Sequence, residues 1–483
     1  MAISIEELHK SYKDSKTTAT ETVKEIIATI DAEDKTINAY TEVFTDEALK
    51  QAELLDAKLA KGESIGLLEG IPISVKDAIL IEGHKATASS RILEDYTATY
   101  DATVIQKLKK EGVIFIGKTN LDEFAMGAST ENSAFGPTRN PVDTHRVPGG
   151  SSGGSAASVA ANMAMISIGS DTGGSIRQPA SLTGTVGLKP TYGRVSRFGL
   201  IAMASSLDQI GPFAHNVMDT AHILNIIEGK DSMDATSAEL AANQLLDIES
   251  IRKADVKGLK VGIPKEYFID GIDTEVKSAI DEIIEEYKKL GVEFVEVSLP
   301  HTQYAVPTYY IIMPAEVSTN LARFDGIRYG LSELEQSQDL QEVYKASRAK
   351  GFGNEPLRRI MLGTYVLSSG YYESYYGKAK QVQAMIRQDF TNVFKQVDAI
   401  ITPTSPHTAF AIGEKANNPV SMYLEDIFTV ATNLAGIPGI SVPTLSNARL
   451  PIGFQLMTNH FQEQTLLTLA NAIDNIRYAR NNN

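Results

Sequence analysis

Hydrophobic and polar positions follow a helical period through the first sixty residues of the chain. Ser4 and Glu7 form a capping box ahead of Ile5, Leu8 and Tyr12. Thr18 and Glu21 form a second, ahead of Val23, Ile26, Ile27 and Ile30. A third helix is expected over 47–61, with Leu49, Ala52, Leu55 and Leu59 on its apolar face. Together these predict an N-terminal helical layer over 1–62, whose stripes serve core packing most simply and docking as an alternative.

The period then changes. Short, wholly apolar runs at 71–75 and 113–116 read as strands, with helices over 102–111 and 120–126. A polar stretch over 230–256 reads as a surface excursion. Beyond it come a strand at 259–263, a helix carrying Val276, Ile280, Ile283, Tyr287 and Leu290, and a strand at 292–297. Tyr371, Tyr372, Tyr375 and Tyr376 precede a helix reaching residue 397 and read as a packed layer rather than a binding cage. Late strands fall at 399–402, 440–442 and 452–456, a last helix covers 463–476, and the tail 481–483 is expected to be disordered. Short apolar strands separated by helices predict an α/β fold, a large mixed and mostly parallel sheet covered by helices on both faces. Residues 63–480 are expected to form this as one unit.

Composition narrows the possibilities. Of 483 residues, 43% are hydrophobic, ample for a large core. A net charge of −15 argues against strong direct binding to nucleic acid, which needs clustered Lys and Arg. No apolar span is long enough for a membrane helix and no signal segment opens the chain, so a soluble protein without a membrane partner is expected. Zero cysteines exclude disulfides and thiolate metal sites and fit a cytoplasmic protein, and the eight histidines include no close pair at ligand spacing, so no metal is expected.

Candidate chemistry concentrates between residues 147 and 178. Glycine and serine cluster at 149–155 and again at 169–175, separated by a short helix of small residues at 156–161 and a buried strand at 164–168. A flexible linker would carry neither element, so the glycines read as backbone lining a site. The GxSxG letters around Ser152 lack the strand that an α/β-hydrolase elbow requires, because 143–148 reads as loop. The Walker letters at 112–119 fall on a buried strand, which cannot also cradle phosphate. A serine nucleophile needs a base, and lysine can take that role. Lys76 ends the apolar run at 71–75, where burial would hold it neutral; a solvated strand-end lysine is the competing reading.

Three runs, 70–77 (GIPISVKD), 148–155 (PGGSSGGS) and 169–179 (GSDTGGSIRQP), together resemble the amidase signature family. The resemblance implies a Ser-Ser-Lys triad with Ser175 as nucleophile, Ser151 as bridging serine after a cis peptide, and Lys76 as base. It places the oxyanion hole at the backbone amides of Thr172, Gly173, Gly174 and Ser175. Stretches at 122–127, 194–199, 205–209, 323–330 and 367–372 are similar to the branch of the family that works as glutaminase subunits of tRNA-dependent amidotransferases. For that branch the resemblance implies glutamine as substrate, bound by Arg359 and Asp426 with Tyr309 or Tyr310. Adjacent Arg358 leaves the arginine register open by one, and the tyrosine pair is equally ambiguous. It also implies B and C partner subunits, ATP and Mg on a partner rather than on this chain, and misacylated tRNA, for glutamate, aspartate or both, reached through B. A stand-alone amidase acting on a small amide is the alternative.

Overall fold

Eleven strands join in one sheet in the computed structural model, which describes residues 3–268, 271–416 and 418–481. The strands are β1 (Tyr40–Val43), β2 (Pro72–Lys76), β3 (Ile114–Thr119), β4 (Ile166–Asp171), β5 (Val186–Lys189), β6 (Gln209–Ala214), β7 (Lys260–Pro264), β8 (Glu293–Val297), β9 (Ala399–Pro403), β10 (Gly439–Pro443) and β11 (Gly453–Thr458). Their order is β1-β3-β2-β4-β6-β5-β10-β11-β9-β7-β8.

The fold is α/β with a large mixed sheet, as expected, but the expectation of mostly parallel pairing needs correction. Parallel pairs occur in two blocks, β3-β2-β4 and β9-β7-β8, and every other neighbouring pair is antiparallel. The cause is physical. A strand covered on both faces is apolar throughout whichever way its neighbours run, so its pattern does not encode direction.

Helices cover the sheet. The N-terminal layer consists of α1 (Ile5–Lys13), α2 (Ala19–Ile37) and α3 (Thr45–Ala60), and both capping boxes form. Tyr40–Val43, left unassigned by the apolar pattern, places an edge strand inside this segment and pairs with β3. The central helices are α4 (Thr103–Lys110), α5 (Gly153–Ala160), α6 (Arg177–Thr183), α7 (Val217–Ile227), α8 (Ile248–Lys253) and α9 (Thr274–Lys289). The remainder are α10 (Ala305–Asn320), α11 (Leu340–Gly351), α12 (Asn354–Val366), α13 (Lys378–Val393), α14 (Pro419–Tyr423), α15 (Val430–Ala435) and α16 (Glu463–Asn481).

Alternation along the strands feeds two cores. On β9, Ile401 joins the core shared with α1–α4, α7, α9 and α16, whereas Ile400 joins the one shared with α10, α13 and α15. Leu456 and Met457 on β11 divide in the same way. None of the helices among the described residues is long and apolar enough to cross a membrane.

Local differences from the expected elements have identifiable causes. The helix expected over 120–126 is only a 3-10 turn at Glu123–Ala125, with Phe124 at φ 50° and Ala125 at φ 62°. The carboxylate of Asp122 draws the following backbone back on itself by accepting from Thr130 N at 2.9 Å and Asn132 N at 3.2 Å. The polar stretch at 230–256 is not a free excursion: Asp234 and Ser237 are buried, and Asp231 accepts from Ser196 and Thr103 at 2.5 Å each. Tyr371, Tyr372 and Tyr375 stay partly exposed around a π-helical turn at Glu373–Gly377, with Tyr371 packing its ring 4.5 Å from that of Tyr365. At the tail, Asn481 ends α16, and residues 482 and 483 lie outside the described residues.

Candidate active site

The end of β2 carries Lys76 into the interior, where none of its side chain is exposed. Its Nζ lies 2.8 Å from Ser151 Oγ, 2.8 Å from Ser152 Oγ and 3.0 Å from Ser170 Oγ. Its hydrogen bonds thus run to neutral oxygens rather than to a carboxylate. Burial lowers its pKa to about 7, even though Asp122, Asp171 and Asp208 pull the other way. The expected pairing of Lys76 with Ser151 is present, and the solvated strand-end reading of Lys76 is excluded.

Ser152 differs from Ser151 and Ser170 in freedom. Ser152 Oγ donates to Ser170 O at 3.0 Å, so its one proton is committed and it can only accept from the amine. Ser151 Oγ has no acceptor other than Lys76 among the described residues, which leaves its proton available to a neutral Lys76 lone pair. Ser151 also follows a cis peptide bond from Gly150, as the family resemblance implied.

Ser175 arrives from the loop between β4 and α6. Ser152 N donates to Ser175 O at 3.2 Å, which sets the loop directly against the Ser151 segment. Ser175 Oγ itself makes no hydrogen bond among the described residues, to Ser151 or any other group, and Ser175 is 7% exposed. The candidate nucleophile thus lies on a segment bonded to the Ser151 segment, with its own hydroxyl unengaged among the described residues.

The backbone amides of Thr172, Gly173, Gly174 and Ser175 donate to no acceptor among the described residues. Four idle amides beside a hydroxyl are the donor set an oxyanion needs. The loop can take this shape only with glycine. Gly174 sits at φ 149°, and a Cβ there would lie 2.2 Å from Thr429 Oγ1. A Cβ at Gly173 would lie 2.7 Å from Tyr309 Cζ.

Two buried carboxylates set the loop. Asp171 binds Arg177 through two bonds of 3.0 Å, and Asn433 Nδ2 donates to it at 2.8 Å. Burial alone would raise its pKa; the Arg177 guanidinium overcomes this and holds it at about 2. Asp208 accepts from Thr172 Oγ1 at 2.6 Å and from the amides of Met203 and Ala204.

The residues expected to hold substrate converge on the far side of this loop. Tyr310 Oη donates to Asp426 Oδ2 at 3.2 Å, and Asp426 lies beside Gly174, 3.3 Å from where a Cβ would stand. Burial raises the Asp426 pKa to about 8 despite that hydrogen bond. Arg359 is buried, with its guanidinium 4.7 Å from the Tyr310 ring and 4.8 Å from the Tyr423 ring. Its Nε donates to Glu355 at 2.6 Å and its Nη1 to Met313 Sδ at 3.3 Å; Nη2 has no partner among the described residues. Arg358 is half-exposed and paired with Glu355. A cavity of about 380 Å³ is lined by Ser129, Tyr310, Glu355, Arg358, Arg359 and Tyr423, among others. From it, Tyr310 and Asp426 lead to the loop that carries Ser175.

Several partners of these residues were not legible in the sequence. Ser152 carried only the GxSxG letters, and Ser170 stood in its glycine cluster with nothing to mark it. Tyr423 and Thr429 come from distant segments. Glu355 had one usable signal, its i,i+4 spacing from Arg359. The Walker letters resolve as expected: 114–119 is strand β3, and Lys118 is buried, 3.4 Å from Asp77.

Known proteins resemble the chain in sequence and shape. The amidase family model matches residues 21–467. The chain is 55% identical to the glutamyl-tRNA(Gln) amidotransferase A subunit of Carboxydothermus hydrogenoformans, over 98% of this chain and 96% of that protein. It is 54% identical to the protein of the same name from Koribacter versatilis, over 98% of each. The crystal structure of the glutamyl-tRNA(Gln) amidotransferase A subunit from Thermotoga maritima superposes with a TM-score of 0.80 at 42% identity, covering 98% of this chain and 94% of that one. The native peptide amidase of Stenotrophomonas maltophilia gives 0.81 at 26% identity, covering 98% and 97%. The chain belongs to the amidase signature family.

Proposed function

We propose that this chain is the glutamine-hydrolysing component of a tRNA-dependent amidotransferase and supplies ammonia for amidating Glu-tRNA(Gln), Asp-tRNA(Asn) or both. One observation carries the chemistry: a buried lysine, lowered to a pKa of about 7, bonded to Ser151 and set against a loop of free amides bearing Ser175. The assignment to an amidotransferase is supported by the names of relatives at 55% and 54% identity.

In this reading Ser175 Oγ attacks the side-chain amide carbon of glutamine. Its proton passes to Ser151 Oγ as the Ser151 proton passes to neutral Lys76. The oxyanion is held by the amides of 172–175, worth about 2.7–4 kcal/mol for each effective donor. Lys76 returns the proton through Ser151 to the leaving nitrogen, and ammonia departs. Water, deprotonated along the same relay, then cleaves the acyl ester to glutamate and free Ser175.

Substrate binding follows from charge. The idle Nη2 of Arg359 suits the α-carboxylate, and the α-ammonium would restore charge to Asp426. Tyr310 supplies a hydroxyl to Asp426, while Tyr309 lies against Gly173. ATP and Mg would be used on a partner B subunit, with a C subunit bracing the pair and tRNA held through B, in the cytoplasm. The test is ammonia release from glutamine by the chain alone and with those partners added stepwise. Stimulation by partners supports the reading. Full activity alone, without complex formation, favours a stand-alone amidase, the reading suggested by the likeness to the peptide amidase.

A further inference from the structure

Asp122 and Glu123 are consecutive carboxylates, both buried, and neither takes part in the steps above. They face different halves of the site. Asp122 accepts from the amides of Ser129 at 3.3 Å, Thr130 at 2.9 Å and Asn132 at 3.2 Å, and its own amide donates to Ser151 O at 3.2 Å. A Cβ on Gly150 would stand 2.2 Å from Asp122 Oδ2, so this carboxylate lies against the peptide that presents Ser151. Glu123 accepts from Gly353 N at 3.0 Å and from Ser90 Oγ. Gly353 immediately precedes α12, the helix that carries Glu355 and Arg359.

We infer that Asp122 and Glu123 are positioning residues that join the two halves of the site, Asp122 holding Ser151 and the 129–132 segment in place for Lys76, Glu123 holding the start of α12 in place for Arg359. Between them lies a single peptide bond, so the distance from proton relay to carboxylate anchor is set over one residue rather than across the sheet. The left-handed backbone of Phe124 and Ala125 turns the chain sharply just after the pair, and Phe124 packs 5.6 Å from the ring of Phe352, next to Gly353. The joint is thus apolar on one side and hydrogen-bonded on the other.

The charged surroundings of Lys76 make the two roles separable. On neighbouring β3, Lys118 pairs with Asp77; on β4, Asp171 pairs with Arg177; α5 contributes no charge; Asp208 lies just before β6. Among the described residues no cationic side chain is bonded to Asp122, and of these carboxylates it does most to favour the Lys76 ammonium. Removing its charge should move the Lys76 titration to lower pH, whereas changing Glu123 should not.

This inference rests on the glutaminase reading, and the experiment separates the two. Asp122→Asn, Glu123→Gln and Ser90→Ala are compared with the full-length protein in glutamine hydrolysis, in inactivation by a sulfonyl fluoride that reacts at Ser175, and in amide hydrogen exchange. For Asp122→Asn the expected result is kcat lower by about 10²-fold, the scale of an ångström's misplacement. Its acid limb should shift to lower pH, with faster exchange at 129–132. Glu123→Gln and Ser90→Ala should raise KM, leave the acid limb unmoved, and speed exchange at 353–359. The inference is overturned if Glu123→Gln changes neither KM nor that exchange, or if Asp122→Asn keeps its acid limb. Should Asp122→Asn fail to fold, the Glu123 and Ser90 variants decide alone. A wild-type protein that does not hydrolyse glutamine sinks the functional reading, yet the sulfonyl fluoride profile and the exchange pattern still decide the joint.

Discussion

Ser152 Oγ stands as close to Lys76 Nζ as Ser151 Oγ does, 2.8 Å in both cases, yet only Ser151 has a proton to give. Distance alone would not distinguish them. Ser151→Ala should therefore lower kcat by about 10³-fold, within the range of a lost proton relay. Ser152→Ala, which removes an acceptor that steadies the amine, should cost clearly less. Equal losses in single-turnover ammonia release would contradict this division.

Ser175→Ala should abolish acyl-enzyme formation without loosening the fold, because Ser175 Oγ makes no hydrogen bond among the described residues. Intact-mass measurement after mixing with substrate, alongside a melting curve, checks both halves of the statement.

The pH dependence follows from Lys76. Its pKa is lowered to about 7, so the neutral base is lost as pH falls below that value and kcat should drop about tenfold per unit there. Lys76→Arg should be inactive at every pH, since guanidinium stays charged. An unchanged acid limb in Lys76→Met would remove Lys76 from the relay.

Arg359→Lys should raise KM for glutamine by about 10- to 100-fold, the range for a lost charge-assisted hydrogen bond, with kcat less affected. Arg358→Ala should do little, because that side chain is half-exposed and its partner Glu355 keeps Arg359. The reverse ranking would move the carboxylate anchor by one residue.

Asp171→Asn should destabilise by about 3–5 kcal/mol, the cost of leaving a buried guanidinium without its partner. The pH sign is fixed by its depressed pKa of about 2. The contribution is complete above the ordinary carboxylate range and is lost as pH falls from there towards 2. Urea denaturation at pH 7 and at pH 3 should show wild type and variant converging at the lower value.

The sequence revealed the parts of the site that use rare combinations, and concealed those that use common ones. Lys76, Ser151 and Ser175 stand in glycine-rich runs that little else would require, and helices with capping boxes announced themselves at Ser4 and Thr18. Strand direction did not, because β4 and β6 are buried along their whole length and nothing in their patterns encodes how they pair. β5 and β6 passed unassigned, since Gly187, Gly211 and Pro212 break the apolar runs that mark a strand. The 3-10 turn at 123–125 was masked by residues that form helices well elsewhere; only the tertiary bonds to Asp122 decide its shape. Nothing in the sequence distinguishes Tyr310, whose hydroxyl reaches Asp426, from Tyr309, which lies against Gly173.

Arg177, which braces the loop carrying Ser175, donates to Thr429 O at 3.1 Å, to Asn433 Oδ1 at 2.6 Å and to Gln455 Oε1 at 2.5 Å. All three acceptors lie at least 252 residues further along the chain. During synthesis, Lys76, Ser151 and Ser175 leave the ribosome long before these residues exist, and the loop must wait for them. A nascent chain that stops before Thr429 thus carries Lys76, Ser151 and Ser175 with Arg177 bound to Asp171 alone, and the loop gains its remaining support only once residues 429–455 have been made.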